Sequence, residues 1–292
     1  MLTGGGLPVK LAHRMVLISP PCIGKISASG MKLAVSGKGG VGKTTVACLL
    51  CFAFQRLGYS VLAVDADPNA TLAAAMGFPH PGEIIPLSQM ADLIEERTGA
   101  RPGQLAPYFK LNPRVDDIPR KYWVEHEGIK LLVMGGLKPG GGGCYCPENA
   151  LLQALIAHLF LERDEVVIMD MEAGVEHLGR GTARGVDEMI IVVEPGRGSV
   201  ETACRIKTLA QDIGINNVAA VGNKVHNGQE KEFLLSSLPQ FKFLGFIPYH
   251  PSIVEADRGG LSLRNIGGEV AAAISTIADQ LIKETIIGMA NN

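Results

Sequence analysis

Short apolar runs alternate along the chain with longer stretches in which apolar residues recur at helical spacing. Several short runs are apolar at nearly every position, which is typical of strands in a parallel sheet covered on both faces. The predicted strands are Leu33–Ser36, Val61–Val64, Ile129–Met134, Val166–Asp170, Met189–Val193, Val218–Gly222 and Phe243–Phe246. The clearest helical patterns are Thr44–Leu57, Asn149–Leu161, Ser199–Ile213 and Gly268–Ile287. This alternation predicts an α/β fold, with a doubly wound, mostly parallel sheet flanked by helices.

Two segments do not follow this alternation of strands and helices. Residues 1–30 are rich in glycine and proline and lack the apolar run of a signal peptide, so we expect a flexible tail or a misassigned start. A functional targeting segment is the alternative. Residues 79–128 are rich in proline and contain the single tryptophan, Trp123. We interpret them as an insertion on one domain that spans residues 31–292.

The composition excludes several classes of protein. The 292 residues are 47% hydrophobic, which suits a large core, yet no apolar run approaches the roughly 18 to 20 residues of a membrane-spanning helix. A net charge of −2 and 5% aromatic residues do not favour nucleic-acid binding. We therefore expect neither a nucleic acid nor a membrane as partner. The six scattered cysteines do not form a disulfide framework, so a reducing, cytoplasmic location is expected.

A phosphate-binding motif follows the first predicted strand. Residues Gly37–Thr45 fit the pattern G-x-x-x-x-G-K-[ST] between a strand and a helix. Glycines allow successive backbone N–H groups to surround phosphate oxygens, and the helix directs its positive end to the same place. Lys43 is expected to bridge the β- and γ-phosphates of ATP, and the Thr44 hydroxyl to bind Mg²⁺. The predicted nucleotide contacts are Gly39, Gly40, Val41, Gly42, Lys43, Thr44 and Thr45.

A second lysine, Lys38, opens this loop, and with it the sequence resembles the deviant Walker A ATPases, the group that includes MinD, ParA and the nitrogenase iron protein. The resemblance implies that Lys38 reaches the nucleotide of a partner subunit in a face-to-face homodimer.

Carboxylates follow two other predicted strands. Asp65 and Asp67 come after the second strand, and Asp170 ends the strand that begins at Val166, where ligands of α/β sheets bind. The resemblance implies that Asp170 holds Mg²⁺ through water and that Asp67 orients the attacking water. A loop aspartate alone is more often a turn or helix cap, and Asp65 is an alternative metal ligand.

Two further positions match the same family. Gly174 resembles the switch glycine whose N–H senses the γ-phosphate, and Asn223 lies where the family reads adenine with an asparagine amide. The expected cofactors are therefore ATP or ADP with Mg²⁺.

A glycine-rich loop carries two cysteines, Cys144 and Cys146, just before a helix that should begin near Pro147. A helix N-terminus favours the thiolate, the form that binds metal. Two thiolates do not complete a tetrahedral site, but two chains across a two-fold axis would supply four. Soft thiolates suit Zn²⁺, Ni²⁺ or an iron–sulfur cluster. Inert thiols or a strained disulfide are the alternatives. Cys48, Cys51 and Cys204 are interpreted as small buried hydrophobic residues.

Together these features resemble the nickel-inserting ATPases of carbon monoxide dehydrogenase maturation, the CooC and AcsF type. The resemblance extends from about Met31 to the C-terminal helix and is most specific at Cys144–Glu148 and Asp170–His177. It implies that ATP closes a homodimer, that two Cys-x-Cys loops bind one Ni²⁺ or Zn²⁺, and that hydrolysis releases nickel. The client would be carbon monoxide dehydrogenase or acetyl-CoA synthase.

Two other functions remain open on the sequence alone. One is an ATP-dependent reductase with an iron–sulfur cluster between subunits, although that family takes its cysteines from two separate loops. The other is a positioning ATPase of the MinD or ParA type, whose membrane-binding members carry a basic amphipathic C-terminal helix. The apolar stripe Val270, Ile274, Ile277, Leu281 and Ile282 is instead expected in the core. For Glu172, Glu176 and His177, coupling of the switch to the metal and a structural role are equally supported.

Overall fold

The computed structural model describes residues 30–104, 108–135, 146–162, 165–175, 178, 183 and 185–290, without the side chains of 161, 162 and 286–290. The predicted tail, except Gly30, and most of the glycine-rich loop, including Cys144, therefore lie outside the described residues.

The described residues form an eight-stranded sheet in the order β3-β4-β2-β5-β1-β6-β7-β8. Its strands are β1 Lys32–Gly37, β2 Val61–Asp65, β3 Val124–His126, β4 Ile129–Val133, β5 Val166–Asp170, β6 Glu188–Val193, β7 Val218–Val225 and β8 Lys242–Pro248. All neighbouring pairs are parallel except β3 and β4. The prediction of a doubly wound, mostly parallel α/β sheet is confirmed.

Helices cover both faces of this sheet. They are α1 Lys43–Arg56, α2 Leu72–Met76, α3 Ala91–Thr98, α4 Ile118–Tyr122, α5 Pro147–Glu162, α6 Arg197–Ile213, α7 Gly228–Ser237, α8 Pro251–Gly259 and α9 Gly268–Ala290, with short 3₁₀ turns at Pro81–Glu83, Leu87–Gln89 and Leu263–Asn265. Each predicted strand and helix is present, with ends that differ by a few residues. The sequence patterns missed β3 and the shorter helices.

Successive strand residues alternate between two hydrophobic cores. In β1, Leu33 and Val35 join the core under α1 and α9, whereas Ala34 joins the core under α5 and α6. Because both faces of the strand are buried, its sequence is apolar at successive positions and does not alternate with polar residues. The C-terminal stripe lies in the first core, as predicted: Val270 and Ile277 are fully buried. Within the described residues, no helix is long and apolar enough to cross a membrane.

The proline-rich segment 79–128 packs on the sheet. Leu87, Ile94 and Ile118 are buried in the second core, beside helix α5. The segment ends in an antiparallel hairpin of β3 and β4, whose turn residues Glu127 and Gly128 both have positive φ, 46° and 79°. This hairpin was missed because β3 is short and half-buried, so its sequence has no apolar run.

Candidate nucleotide site

The loop between β1 and α1 has a backbone that only glycine adopts easily at Gly37, Gly40 and Gly42, and at two of these positions a side chain would also clash. At Gly42, φ is 93° and a Cβ atom would lie 2.4 Å from the Asn223 amide nitrogen. At Gly37, φ is 153° and a Cβ atom would lie 2.5 Å from the carbonyl oxygen of Val192. The loop therefore lies directly against the carboxyl ends of β6 and β7, where larger residues would clash.

A hydroxyl and a carboxylate meet at the start of α1. The Thr44 hydroxyl donates a 2.6 Å hydrogen bond to Oδ2 of Asp170, the last residue of β5. Asp170 is fully buried, and its Oδ1 accepts no hydrogen bond from the described residues. Buried carboxylate oxygens normally have a partner. Oxygen ligands of this kind are those that Mg²⁺ prefers, directly or through water, so the residues present fit a magnesium site.

Asp65 and Asp170 lie directly opposite each other on the neighbouring strands β2 and β5. The pKa of Asp170 is raised to about 7, mainly by burial and to a lesser degree by the nearby Asp65, against the opposing effects of the Thr44 hydrogen bond and Lys43. Burial also raises the pKa of Asp65 to about 6, against hydrogen bonds from the backbone of Leu72 and Asp67. A cation bound beside Asp170 would favour its ionised form.

Asp65 organises the loop that follows it. Its two oxygens accept backbone N–H groups of Asp67 at 3.2 Å and of Leu72 at 2.9 Å, so they hold the loop and the start of α2. Asp67 is half-buried and accepts the N–H of Asn69 at 2.9 Å, an Asx turn. The turn role is thus present in the structure, and the carboxylate of Asp67 is held at the same end of the sheet as Asp170.

Gly174 is held by a serine that the sequence analysis missed. Its N–H donates to the Ser36 hydroxyl at 3.2 Å, and that hydroxyl lies 3.0 Å from the carbonyl oxygens of Gly174 and Glu172. Ser36 lies in a buried apolar strand, and nothing in its sequence context marks it as a partner of residues that follow β5. Glu176 and His177 lie outside the described residues.

The two lysines of the loop differ in exposure. Lys43 is buried, with 8% of its surface exposed, whereas Lys38 is exposed. The Lys38 ammonium lies 3.1 Å from where a Cβ atom on Gly198 would be, against the first turn of α6. Among the described residues, neither ammonium has a hydrogen-bond or ion-pair partner.

Asn223 is buried and contacts the loop itself. Its amide nitrogen donates a 2.8 Å hydrogen bond to the carbonyl oxygen of Val41. A cavity of about 200 Å³ lies beside Thr44 and Thr45 at the start of α1. It is also lined by α2 and by Ile253 and Asp257 of α8. Asn223 thus supports the loop from the side of β7.

Cys146 directly precedes α5 and is partly exposed, and its carbonyl accepts the N–H of Ala150 at 3.1 Å. The predicted helix start at Pro147 is confirmed. Its predicted partner Cys144 lies outside the described residues. Within the part of the chain that is described, no three His, Cys, Asp or Glu residues are grouped so as to hold a metal ion.

The other cysteines are mostly as predicted. Cys48 and Cys51 are fully buried, and burial raises the pKa of both thiols, so they are inert core residues. The prediction for Cys204 was wrong in degree: it is only partly buried, and its Sγ accepts a 3.2 Å hydrogen bond from Gln240. Cys204 lies on α6 at the margin of the second core, so its side chain is only partly covered.

Comparison with known proteins agrees with this geometry. Residues 32–263 match the model of the CobQ/CobB/MinD/ParA nucleotide binding domain. The chain belongs to this family. It is 47% identical to the carbon monoxide dehydrogenase accessory protein CooC of Rhodospirillum rubrum over 234 residues, 80% of this chain and 89% of CooC. The resemblance to CooC that the motifs predicted is thereby confirmed.

Other relatives include an uncharacterized ATP-binding protein of Methanocaldococcus jannaschii. It is 47% identical over 256 residues, 87% of this chain and 98% of its own. Among solved structures, the septum site-determining protein MinD of Pyrococcus horikoshii, complexed with Mg-ADP, superposes with a TM-score of 0.62. At 18% identity over 89% of this chain and 98% of MinD, that likeness shows the fold.

Proposed function

We propose that this protein is an ATPase that inserts nickel into carbon monoxide dehydrogenase or the associated acetyl-CoA synthase, using a nucleotide-gated homodimer. The observation that carries the proposal is the 47% identity to CooC, a carbon monoxide dehydrogenase accessory protein. A Cys-x-Cys pair in the same chain as a P-loop supports the metal-carrying half. The protein would act in the cytoplasm, where reduced thiols persist.

The site geometry supports binding and hydrolysis of ATP. The N–H groups of Gly39–Thr45 and the Lys43 ammonium would bind the phosphates, while Thr44, and Asp170 through water, would hold Mg²⁺. Mg²⁺, when bound, neutralises negative charge on the phosphate oxygens. Asp67 would orient the water that attacks the γ-phosphorus as the bond to ADP breaks. Gly174 would sense the γ-phosphate, and Asn223 would lie beside the adenosine.

The metal site would form between two chains. Cys144 and Cys146 of each protomer would supply four thiolates to one Ni²⁺ or Zn²⁺ ion, a closed tetrahedral set. The position of Cys146 at the start of α5 supports this, because a helix N-terminus lowers the pKa of a nearby thiol. Lys38, which is exposed on the nucleotide loop, would reach the nucleotide of the other protomer.

Nucleotide and metal would both favour the closed dimer, so each should tighten binding of the other. Hydrolysis would open the dimer, divide the four thiolates between the two chains and release nickel to the client. Glu172 lies next to the Ser36–Gly174 contact and is a residue through which the nucleotide switch would act. Glu176 and His177 follow in the same segment of sequence.

Metal bound per chain tests this proposal most directly. The protein, purified anaerobically and reduced, is offered Ni²⁺ or Zn²⁺ with ADP or a non-hydrolysable ATP analogue and weighed by native mass spectrometry. We expect one ion per two chains with the ATP analogue, and loss of that ion in Cys144→Ser and Cys146→Ser. Cys204→Ser is the matched control, since its partly exposed thiol lies on α6, outside the proposed metal site.

Other outcomes would replace the proposal. A four-iron cluster that bridges the dimer would indicate an iron-protein type of reductase. No cysteine-dependent metal would indicate a positioning ATPase of the MinD or ParA type. Metal affinity that is identical with and without nucleotide would overturn the gating.

A further inference from the structure

Strand β7 is irregular where it passes the nucleotide loop. Its pairing with β8 shifts between Gly222 and Val225, so the strand contains one extra residue at Asn223–Lys224. Lys224 has a φ of 57°, which is uncommon for a residue with a side chain. Bulges of this kind redirect side chains and are frequent near functional sites. Here the bulge directs two consecutive side chains, Asn223 and Lys224, onto the loop.

Both side chains donate to carbonyl oxygens of the nucleotide loop. The Lys224 ammonium lies 2.5 Å from the carbonyl oxygen of Gly40, and the Asn223 amide lies 2.8 Å from that of Val41. A trans peptide is planar, and its C=O and N–H point in opposite directions. Holding the carbonyl of Gly40 therefore fixes the direction of the Val41 N–H, and holding that of Val41 fixes the Gly42 N–H.

The same contact stabilises the turn that begins at Lys38. The N–H of Val41 reaches the carbonyl of Lys38 at 3.4 Å, a long hydrogen bond that closes a four-residue turn. Gly40, with a φ of 82°, gives this turn little rigidity of its own. External bonds to its carbonyls therefore decide its shape.

A carboxylate on the neighbouring strand holds the lysine in place. Glu194 directly follows β6, and its Oε2 lies 3.2 Å from the Lys224 ammonium. Glu194 is itself tied down, because its backbone N–H donates to the Ser199 hydroxyl at 3.1 Å. The Lys224 ammonium thus lies between the Glu194 carboxylate and the Gly40 carbonyl oxygen of the loop.

We propose that Lys224 and Glu194 are positioning residues of the nucleotide site. Lys224 holds the Gly40 carbonyl and with it the turn that begins at Lys38, and Glu194 holds Lys224, so that the loop has its binding shape before an anion binds. This inference rests on the ATP-binding half of the proposed function. Neither residue needs to touch the nucleotide.

Binding of ADP and AMP by isothermal titration calorimetry tests this role. In Lys224→Met, which keeps the length but removes the donor, we expect ADP to bind about tenfold more weakly, as for a lost charged hydrogen bond. AMP should lose less, because the loop N–H groups act mainly on the further phosphates. Lys231→Met is the matched control, because Lys231 is exposed on α7 and its ammonium lies 5.0 Å from the centre of the Phe246 ring. This variant should bind ADP like the wild type.

Glu194→Gln separates positioning from simple charge attraction, because the two explanations predict opposite signs. Removing a negative charge near a phosphate site would tighten ADP binding if electrostatic attraction alone mattered. If Glu194 holds Lys224 in place, ADP binding should weaken, by about threefold for a partly exposed pair. Lys224→Arg, which keeps a charged donor, should recover part of the loss.

Several results would overturn the inference. These are wild-type ADP affinity in Lys224→Met, equal losses for ADP and AMP, or tighter ADP binding in Glu194→Gln. Thermal unfolding without nucleotide shows that each variant is folded, and if Lys224→Met is not, the other two variants decide. A wild-type protein that binds no ADP would instead refute the proposed function, so the two failures are distinguishable.

Discussion

The two ends of the sheet each bury a lysine, and the two lysines are partnered in opposite ways. Lys32, at the amino end, is 4% exposed, and its ammonium donates to the carbonyls of Gly30 and Glu165, both at 3.0 Å. Lys43, at the carboxyl end, is 8% exposed and has no hydrogen-bond or ion-pair partner among the described residues. The two lysines are therefore buried to a similar degree, but only the ammonium of Lys32 has hydrogen-bond partners among the described residues.

The aspartates at the two ends repeat this difference. Asp187, at the amino end, accepts the backbone N–H of Lys32 at 2.7 Å. Asp170, at the carboxyl end, binds the Thr44 hydroxyl with one oxygen, while the other accepts nothing from the described residues. At the amino end, the buried Lys32 and the exposed Asp187 both have hydrogen-bond partners within the chain, which serves stability. At the carboxyl end, Lys43 and Oδ1 of Asp170 have no such partner among the described residues, which leaves them for a ligand.

The largest expected effect distinguishes the two lysines. Lys43→Met should weaken ATP binding by about 100-fold or more, because a charged contact to phosphate is lost, and should change the free energy of unfolding by less than about 1 kcal/mol. Lys32→Met should do the reverse. It should cost about 2–3 kcal/mol of stability, since the half-buried carbonyls of Gly30 and Glu165 lose a charged donor, and leave ATP binding unchanged.

Calorimetry with ATP, and urea denaturation without nucleotide, measure the two quantities on each variant. The comparison would fail if Lys32→Met weakened ATP binding as much as Lys43→Met did.

A smaller effect is expected at the two aspartates. Asp170→Asn should raise the Mg²⁺ concentration for half-maximal ATP hydrolysis by about 10- to 100-fold, the usual loss when a group that orients a metal ligand is changed. Asp187→Asn keeps an oxygen that accepts the Lys32 N–H, so its Mg²⁺ dependence should equal that of the wild type. Phosphate release measured over a Mg²⁺ titration checks both variants. An unchanged titration in Asp170→Asn would contradict the magnesium site.

The smallest effect concerns pH and the amino end. The pKa of Glu188 is raised to about 7, mainly by burial and to a lesser degree by Glu284, against the opposing effect of Lys242. Because the folded pKa is above the unfolded value, the protonated form is favoured on folding, and stability is lost as pH rises from about 4.5 to about 7. Glu188→Gln should therefore raise the free energy of unfolding at pH 8 by about 1–2 kcal/mol and have little effect at pH 4.5.

Urea denaturation at the two pH values, without nucleotide, measures this difference, with the exposed Glu201→Gln on α6 as control. The raised pKa values of Asp170 and Asp65 likewise lower the stability of the protein as pH rises. Binding of Mg²⁺ and ADP should reduce the contribution of these two aspartates to the pH dependence of stability and leave the contribution of Glu188 unchanged. A gain in Glu188→Gln that disappeared with Mg²⁺ and ADP would contradict the separation of the two ends.

Much of the nucleotide site was predictable because its chemistry is contiguous in sequence. The nine residues Gly37–Thr45 specify a loop and a helix start, and their glycines are required by local backbone geometry. Asp170 was predictable because a carboxylate that ends an apolar strand of a parallel sheet lies at the ligand-binding end. The partners of these residues were not predictable. Ser36 and Glu194 have no local sequence signal, and although Lys224 follows the family-like Asn223, nothing in the sequence indicates its left-handed conformation.

The sequence by itself determined the strands, the main helices and the phosphate loop, because these depend on apolar periodicity and on neighbouring residues. Only the tertiary structure decided which buried charges are satisfied. Thr44 and Asp170 are 126 positions apart, and Lys224 and Gly40 are 184 apart. Such pairs meet only when the strand order β2-β5-β1-β6-β7 brings their ends together. The position of a strand in the sheet, rather than its own sequence, therefore decides whether a polar residue is paired within the fold or is left to bind a ligand.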